Sequence, residues 1–232
     1  MKYKLPRPKY SPTLLEAIKR ELKKQKFHLP KLSNKSMKEL EEMMKIIKSR
    51  GLPSYLVLKQ LPDPMGWGIF LHPKSKPLPK GKLLAIYSGE ALLYPMNVTD
   101  ESAYAFAPVD DMTLIKEEQK ILDKKNKHHP RRLYSLNIDA EKNGNYTRFI
   151  NHSDKPNVEA RLLSIPDNEM GIEPAPIEVV YFVKKKILPG QQLLVSYEDG
   201  EESYWGVLKL KPIPIFADSF VIDKNLNLID QR

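Results

Sequence analysis

Apolar residues recur at helical spacing twice near the start of the chain and fall into short runs broken by Pro and Gly thereafter. Leu14, Leu15, Ile18 and Leu22 form one stripe of a helix opened by Ser11-Pro12-Thr13. Ser11 is its N-cap, Pro12 is tolerated in the first turn, and Lys23 to Lys26 suit the negative C-terminal end. A second helix is expected from Ser36, where Ser36 to Glu39 makes a capping box, and carries Met37, Leu40, Met43, Met44 and Ile47 until Gly51 and Pro53 stop it. The two helices are expected to form a hairpin, with the methionines as core filler. From Tyr55 the pattern changes to short strands: Tyr55 to Leu58, Gly68 to Leu71, Leu83 to Tyr87, Tyr134 to Ala140, Glu178 to Val183 and Leu193 to Ser196. Asp110 or Asp111 is expected to cap a third helix running to about Asp123, with Leu114, Ile115, Ile121 and Leu122 on its apolar side. Leu188-Pro189-Gly190-Gln191 is a turn signal, and Ile215 to Ile222 reads as an added strand or a partner-binding tail.

Length and charge narrow this picture. A chain of 232 residues buries one sizeable core and carries an appendage. It has no cysteine, which excludes a disulfide framework and a thiolate zinc site. No apolar run approaches the roughly 20 residues of a membrane span, and Met1 to Tyr10 lacks the apolar core of a signal peptide. The expectation is therefore a soluble protein of the cytoplasm or nucleus. The net charge of +9 resides in residues 1–50, which hold 15 Lys/Arg against 5 Asp/Glu, while the remainder holds 23 against 24. That segment reads either as a solvated basic surface or as a contact for nucleic acid, a nucleosome or another anionic surface. The run Lys124 to Arg132 includes His128 and His129, but no further ligands stand at metal-binding spacing, so it reads as an exposed basic loop.

Four ordered motifs carry the chemistry. Gly66-Trp67-Gly68 allows a tight turn and close approach of a ligand to main chain; alone it serves equally as a hairpin turn. Tyr87-Ser88-Gly89-Glu90 follows it. Asn151-His152-Ser153 sets amide and imidazole groups side by side after an apolar run, where alone it would also close a strand as a polar turn. Gln192-Leu193-Leu194-Val195-Ser196-Tyr197 ends the series. In this order and spacing, from about Tyr55 to Trp205, the motifs resemble the SET domain, the lysine methyltransferase fold.

The resemblance implies a mainly β protein with flanking helices. Its expected architecture is the SET-domain, β-clip-like fold with a C-terminal pseudoknot, in which the segment of Arg148 to Ser153 passes through a loop formed by the segment of Tyr197, preceded by the N-terminal helical hairpin. The implied division is a basic helical segment at 1–52, a SET catalytic domain at 53–210 and a C-terminal extension at 211–232. The implied reaction is methyl transfer from S-adenosylmethionine, leaving S-adenosylhomocysteine, to a lysine nitrogen. Holding that amine neutral at pH 7 costs about 4.6 kcal/mol, and a nearby sulfonium and an apolar channel both favour the neutral form. The resemblance makes Tyr197 the catalytic residue. Tyr87 lines the lysine channel beside it and shares the catalytic assignment. Met65, Gly66 and Trp67 supply main-chain contacts to the cofactor's methionine portion, Asn151 and His152 contact the cofactor, and Arg148 supports the same pocket. Tyr104 is the strand tyrosine reaching the cofactor, and Tyr134 competes for that role and for the channel. Trp205, after Tyr204, either stacks on the adenine or fills a hydrophobic patch.

Val195 stands where many SET members carry Phe or Tyr, and Ala160 where some carry a channel Tyr, which implies a roomy channel and more than one methyl per lysine. No metal is expected. The absence of cysteine-rich flanks resembles bacterial or viral members, including ones delivered to act on a host's histones. The implied substrate is a lysine-bearing protein segment, histone or another basic protein. Two rivals come from other classes: a SET-like scaffold that binds a partner without catalysis, which would have lost Tyr197 or Asn151-His152, and a basic nucleic-acid-binding module led by residues 1–50.

Overall fold

Ser11 sits in extended backbone and its hydroxyl accepts from the Leu14 N–H, opening α1 at Pro12–Lys24 with Lys23 and Lys24 in the last turn. The computed structural model describes residues 4–63, 65–96, 104–124, 127, 129–197 and 220–231. Helix α2 spans Asn34–Arg50, two residues earlier than the Ser36 start, because Ser33 is the cap: its hydroxyl accepts from the Ser36 N–H at 3.2 Å. Ser36 thus lies inside the helix, and Gly51 closes the other end with φ 81°. Strands β1 (Leu56–Gln60), β2 (Trp67–Leu71), β3 (Leu83–Ile86) and β4 (Glu90–Pro95) follow, then β5 (Ala105–Thr113).

The long β5 overturns the helix expected from Asp110 or Asp111. Both residues lie in the strand, where register shifts between Phe106 and Val109 and between Val109 and Met112 interrupt its ladder, with Asp111 at φ 56°. Pairing with a neighbouring strand outweighs the capping preference of an aspartate. Helix α3 is confined to Lys116–Leu122, and the Ile115 N–H that precedes it is taken by the Glu118 carboxylate at 3.1 Å. Strand β6 (Leu133–Asp139), a 3-10 turn at Tyr146–Phe149, β7 (Asn151–His152), β8 (Val158–Ile165), β9 (Ala175–Val183), β10 (Leu194–Val195), β11 (Phe220–Ile222) and β12 (Leu228–Asp230) complete the order. Most of these strands are short, and they group in small sheets, among them β3-β9-β8 and β4-β6-β5.

The chain forms two compact units. The first comprises residues 1–51, 85–148 and 161–180. Its core joins Leu14, Ile18 and Leu22 of α1 to Val109, Met112, Tyr134 and Leu136 of the antiparallel sheet. Glu21, almost fully buried, fastens the same helix by accepting from the Thr113 N–H and hydroxyl and from Lys24. Burial raises its carboxyl, but the bonds from Lys24 and Thr113 outweigh that and hold it below the ordinary value. The link between α1 and α2 is pinned to β8 through the Leu32 N–H on the Ser164 carbonyl, and α2 brings Met43 to the Tyr146 hydroxyl. The N-terminal strand of chain ahead of α1 is tied down by Lys9 on Gly89 and by Arg7 on Glu178.

The second unit comprises residues 52–84, 149–160 and 181–232. Here β1 and β2 form an antiparallel hairpin in which Gln60 pairs with Trp67. Leu61, Phe70, Phe220 and Ile222 pack behind it. Strands β7 and β10 pair in parallel, Asn151 with Leu194 and His152 with Val195, a relation that no hairpin can make and that needs a long crossover.

Candidate active site

The parallel pair organises the site in the second unit. β10 delivers Tyr197 two residues beyond Val195, beside the residues that begin β7. The Tyr197 hydroxyl donates to the Ile150 carbonyl at 2.8 Å, and its backbone N–H donates to Nδ1 of His152 at 3.0 Å. Nδ1 is therefore the unprotonated nitrogen, and Nε2–H faces the Asp154 carboxylate at 3.1 Å. The two rings lie 5.5 Å apart at 51°. The imidazole is buried while the phenol is 38 % exposed, so a rigid, shielded group positions an accessible one. With its proton committed to Ile150, the phenol oxygen presents lone pairs to anything that approaches it.

The hairpin supplies a second wall. Asn151 donates through Nδ2 to the Trp67 carbonyl at 3.0 Å, which ties β7 to the start of β2. Gly66 has φ 66° and, among the described residues, open space where a Cβ would stand, so its main chain can be approached by a ligand. Gly68 is required for another reason: a Cβ there would lie 2.7 Å from Nε2 of Gln192 and 3.0 Å from Leu61. Trp67 is 39 % exposed, and Met65 is half-buried against the Leu61 cluster. An open glycine, an exposed indole and a neighbouring carboxamide thus stand together at the start of β2.

Val195 is buried in the β7–β10 pairing and Ala160 is half-buried in β8. Tyr87, Tyr104 and Arg148 belong to the first unit and form a cluster of their own. The Tyr87 hydroxyl donates to the Tyr104 carbonyl at 2.5 Å, its ring packs 5.8 Å from Phe106, and the Arg148 guanidinium lies 5.0 Å over the Tyr104 ring. Arg148 also donates to the Ala140 and Glu141 carbonyls. Tyr134, by contrast, is a core residue with no exposed surface. Its hydroxyl accepts from Gln119 and donates to Asp123, and burial followed by the Asp123 bond pushes its pKa up to about 12. Trp205 lies outside the described residues, as does His128.

Several contributors carry no sequence signal of their own. Ile150 acts through a carbonyl, which every residue possesses. Asp154 and Asn157 lie in the same polar stretch as Asn151, yet their roles appear only in three dimensions: Asn157 accepts from the Leu194 N–H and donates to the Gln192 carbonyl, both at 2.8 Å, locking β10 in place.

A mainly β protein with a tyrosine-centred site on a parallel strand pair is the class that this fold and site define. The SET-domain family model matches residues 66–198, more than half of the 232 residues, and the chain belongs to that family, whose chemistry is methyl transfer from S-adenosylmethionine to lysine. Among solved structures it is similar to KRYPTONITE in complex with mCHH DNA, H3(1-15) peptide and SAH, with 22% identity, a TM-score of 0.41, and coverage of 64% of this chain and 24% of that one. A second KRYPTONITE structure, with mCHG DNA and SAH, gives 22% identity, a TM-score of 0.44, and coverage of 70% and 27%. ATXR5 in complex with histone H3.1 mono-methylated on R26 gives 16% identity, a TM-score of 0.49, and coverage of 76% and 71%. The chain spans about a quarter of the length of the KRYPTONITE chains it matches.

Proposed function

We propose that this chain is an S-adenosylmethionine-dependent protein-lysine N-methyltransferase acting on a lysine-bearing segment of a basic protein such as a histone. The observation that carries the reading is the fixed phenol of Tyr197, whose proton is held by Ile150 and whose backbone is held by the His152 imidazole. Gly66 and Trp67 on one side and Asn151 on the other would hold S-adenosylmethionine, which when bound supplies an electrophilic methyl group. The chain's own part is to orient and desolvate the amine. The Tyr197 oxygen accepts an N–H from the neutral lysine and so directs the nitrogen lone pair, and the proton released in forming that amine passes to solvent. Neutral amine at pH 7 costs about 4.6 kcal/mol, a part of the barrier that an apolar surround reduces. Small side chains at Val195 and Ala160 favour addition of more than one methyl.

A SET-like scaffold without catalysis is the rival, and the retention of Tyr197, Asn151 and His152 in one bonded cluster favours the enzyme. Incubation with radiolabelled S-adenosylmethionine and a panel of core histones and basic proteins, followed by mapping of labelled residues, tests the reading. Label on lysine that falls by about 100-fold or more in Tyr197→Phe supports it. Absence of transfer to every member of the panel by a protein that binds the cofactor would favour the scaffold.

A further inference from the structure

Two segments of the second unit gather lysines without any acidic residue. Residues 72–82 carry four lysines and residues 184–186 carry three, and neither segment contains Asp or Glu. They lie about a hundred positions apart in sequence, yet backbone bonds fasten them together at both ends: Leu78 and Ile187 exchange N–H···O bonds at 3.0 Å, and Val183 bonds to Gly81 and Lys82 at 2.8 and 2.9 Å. Leu78 and Ile187 are buried, which anchors the pairing, while Lys74, Lys76, Lys80, Lys184, Lys185 and Lys186 are all exposed. The backbone N–H groups of Lys184 and Lys185 are both taken by the Asn157 carbonyl, at 2.8 and 3.2 Å. The charges are therefore presented on a framework that is already ordered, stiffened further by Pro73, Pro77 and Pro79. The acidic residues nearest Asn157 in sequence are Glu159 and Asp154, and the Asp154 carboxylate faces His152.

We propose that this lysine surface binds the phosphate backbone of a nucleic-acid duplex, independently of the methyl-transfer reading and of the basic residues 1–50. Three features select this partner. Outside residues 1–50 the chain is close to neutral, 23 basic against 24 acidic residues, so six exposed lysines in two segments that contain no Asp or Glu are a local segregation of charge. The cations are all lysine, and point charges without the forked geometry of arginine match a repeating line of phosphates better than a single bidentate ligand. The six are spread over two strands of chain and carry no aromatic anchor among them, which suits an extended, sequence-independent polyanion.

The test is fluorescence anisotropy of a 20-base-pair DNA duplex with the full chain over a salt series. Each phosphate contact contributes about 0.9 to the slope of log K against log salt. Lys184→Gln, Lys185→Gln and Lys186→Gln together should lower that slope by about 2 to 3, as should the triple change at Lys74, Lys76 and Lys80. Changing the same three positions 184, 185 and 186 to Arg should keep the slope. Lys35, Lys38 and Lys48 of α2, changed to Gln, remove equal charge elsewhere and should leave most of it. The proposal is overturned if the duplex does not bind at low salt, or if the α2 variant lowers the slope as much as the patch variants. It is equally overturned if phosphatidylserine vesicles or polyglutamate show the lysine dependence and the duplex does not.

Discussion

Glu178 should make the stability of this protein fall as the pH rises from mildly acidic to neutral. The carboxyl is fully buried in β9, with Arg7 donating to Oε1 from two nitrogens at 3.0 and 2.6 Å and no hydrogen-bond partner for Oε2 among the described residues. Burial raises its pKa from 4.5 to about 7, more than the Arg7 charge lowers it. Below pH 4.5 both folded and unfolded chains hold the proton, and the group is neutral to stability. Between 4.5 and about 7 the unfolded chain has released a proton that the folded chain keeps, so each step up in pH favours unfolding. Above 7 both forms are ionised, and the full cost, about 3 kcal/mol, is in place. Glu178→Gln removes the titration while its amide oxygen still accepts from Arg7. Urea unfolding of the two proteins at pH 4.5, 5.5, 6.5 and 8 should show stabilities that begin close together and diverge in favour of the variant by about 3 kcal/mol. Curves that stay parallel across this range refute the reasoning. Arg7→Ala should do the opposite, costing about 3 to 5 kcal/mol at pH 8 by stranding the buried carboxylate and much less at pH 4.5.

Three further substitutions separate site from scaffold. Asn151→Ala removes the carboxamide that bonds to Trp67 and should weaken S-adenosylmethionine binding by about 1 to 3 kcal/mol in calorimetry; unchanged affinity would make Asn151 a structural residue only. Gly68→Ala places a Cβ against Gln192 and Leu61 and should lower stability by about 1 to 3 kcal/mol, read as a reduced urea midpoint. Tyr134→Phe leaves Gln119 and Asp123 without their phenol partner and should cost about 1 to 2 kcal/mol in stability with turnover per folded molecule unchanged. A selective loss of turnover would return Tyr134 to the channel.

Local pattern was sufficient wherever the deciding interaction spans a few residues. Ser11 and Pro12 open α1 and Gly51 closes α2, and the alternating and apolar runs of β2, β3, β6 and β9 fall where their side chains demand burial. The ordered motifs also carried the family, since Gly66, Asn151, His152 and Tyr197 all fall within residues 66–198 that the SET-domain model matches. Where two local solutions compete, sequence did not choose between them. Ser33 and Ser36 are both competent caps, and Asp110 and Asp111 are capping residues that strand pairing with β6 overrides. Tertiary structure alone decided the long-range partners: Ile150 for the Tyr197 hydroxyl, Trp67 for Asn151, Arg7 for Glu178, and residues 78–82 for 183–187. The reason is that a backbone carbonyl is chemically the same at every position and a lysine or arginine has many carboxylates or phosphates to choose from. Only strand register and burial select which of those equivalent groups meet.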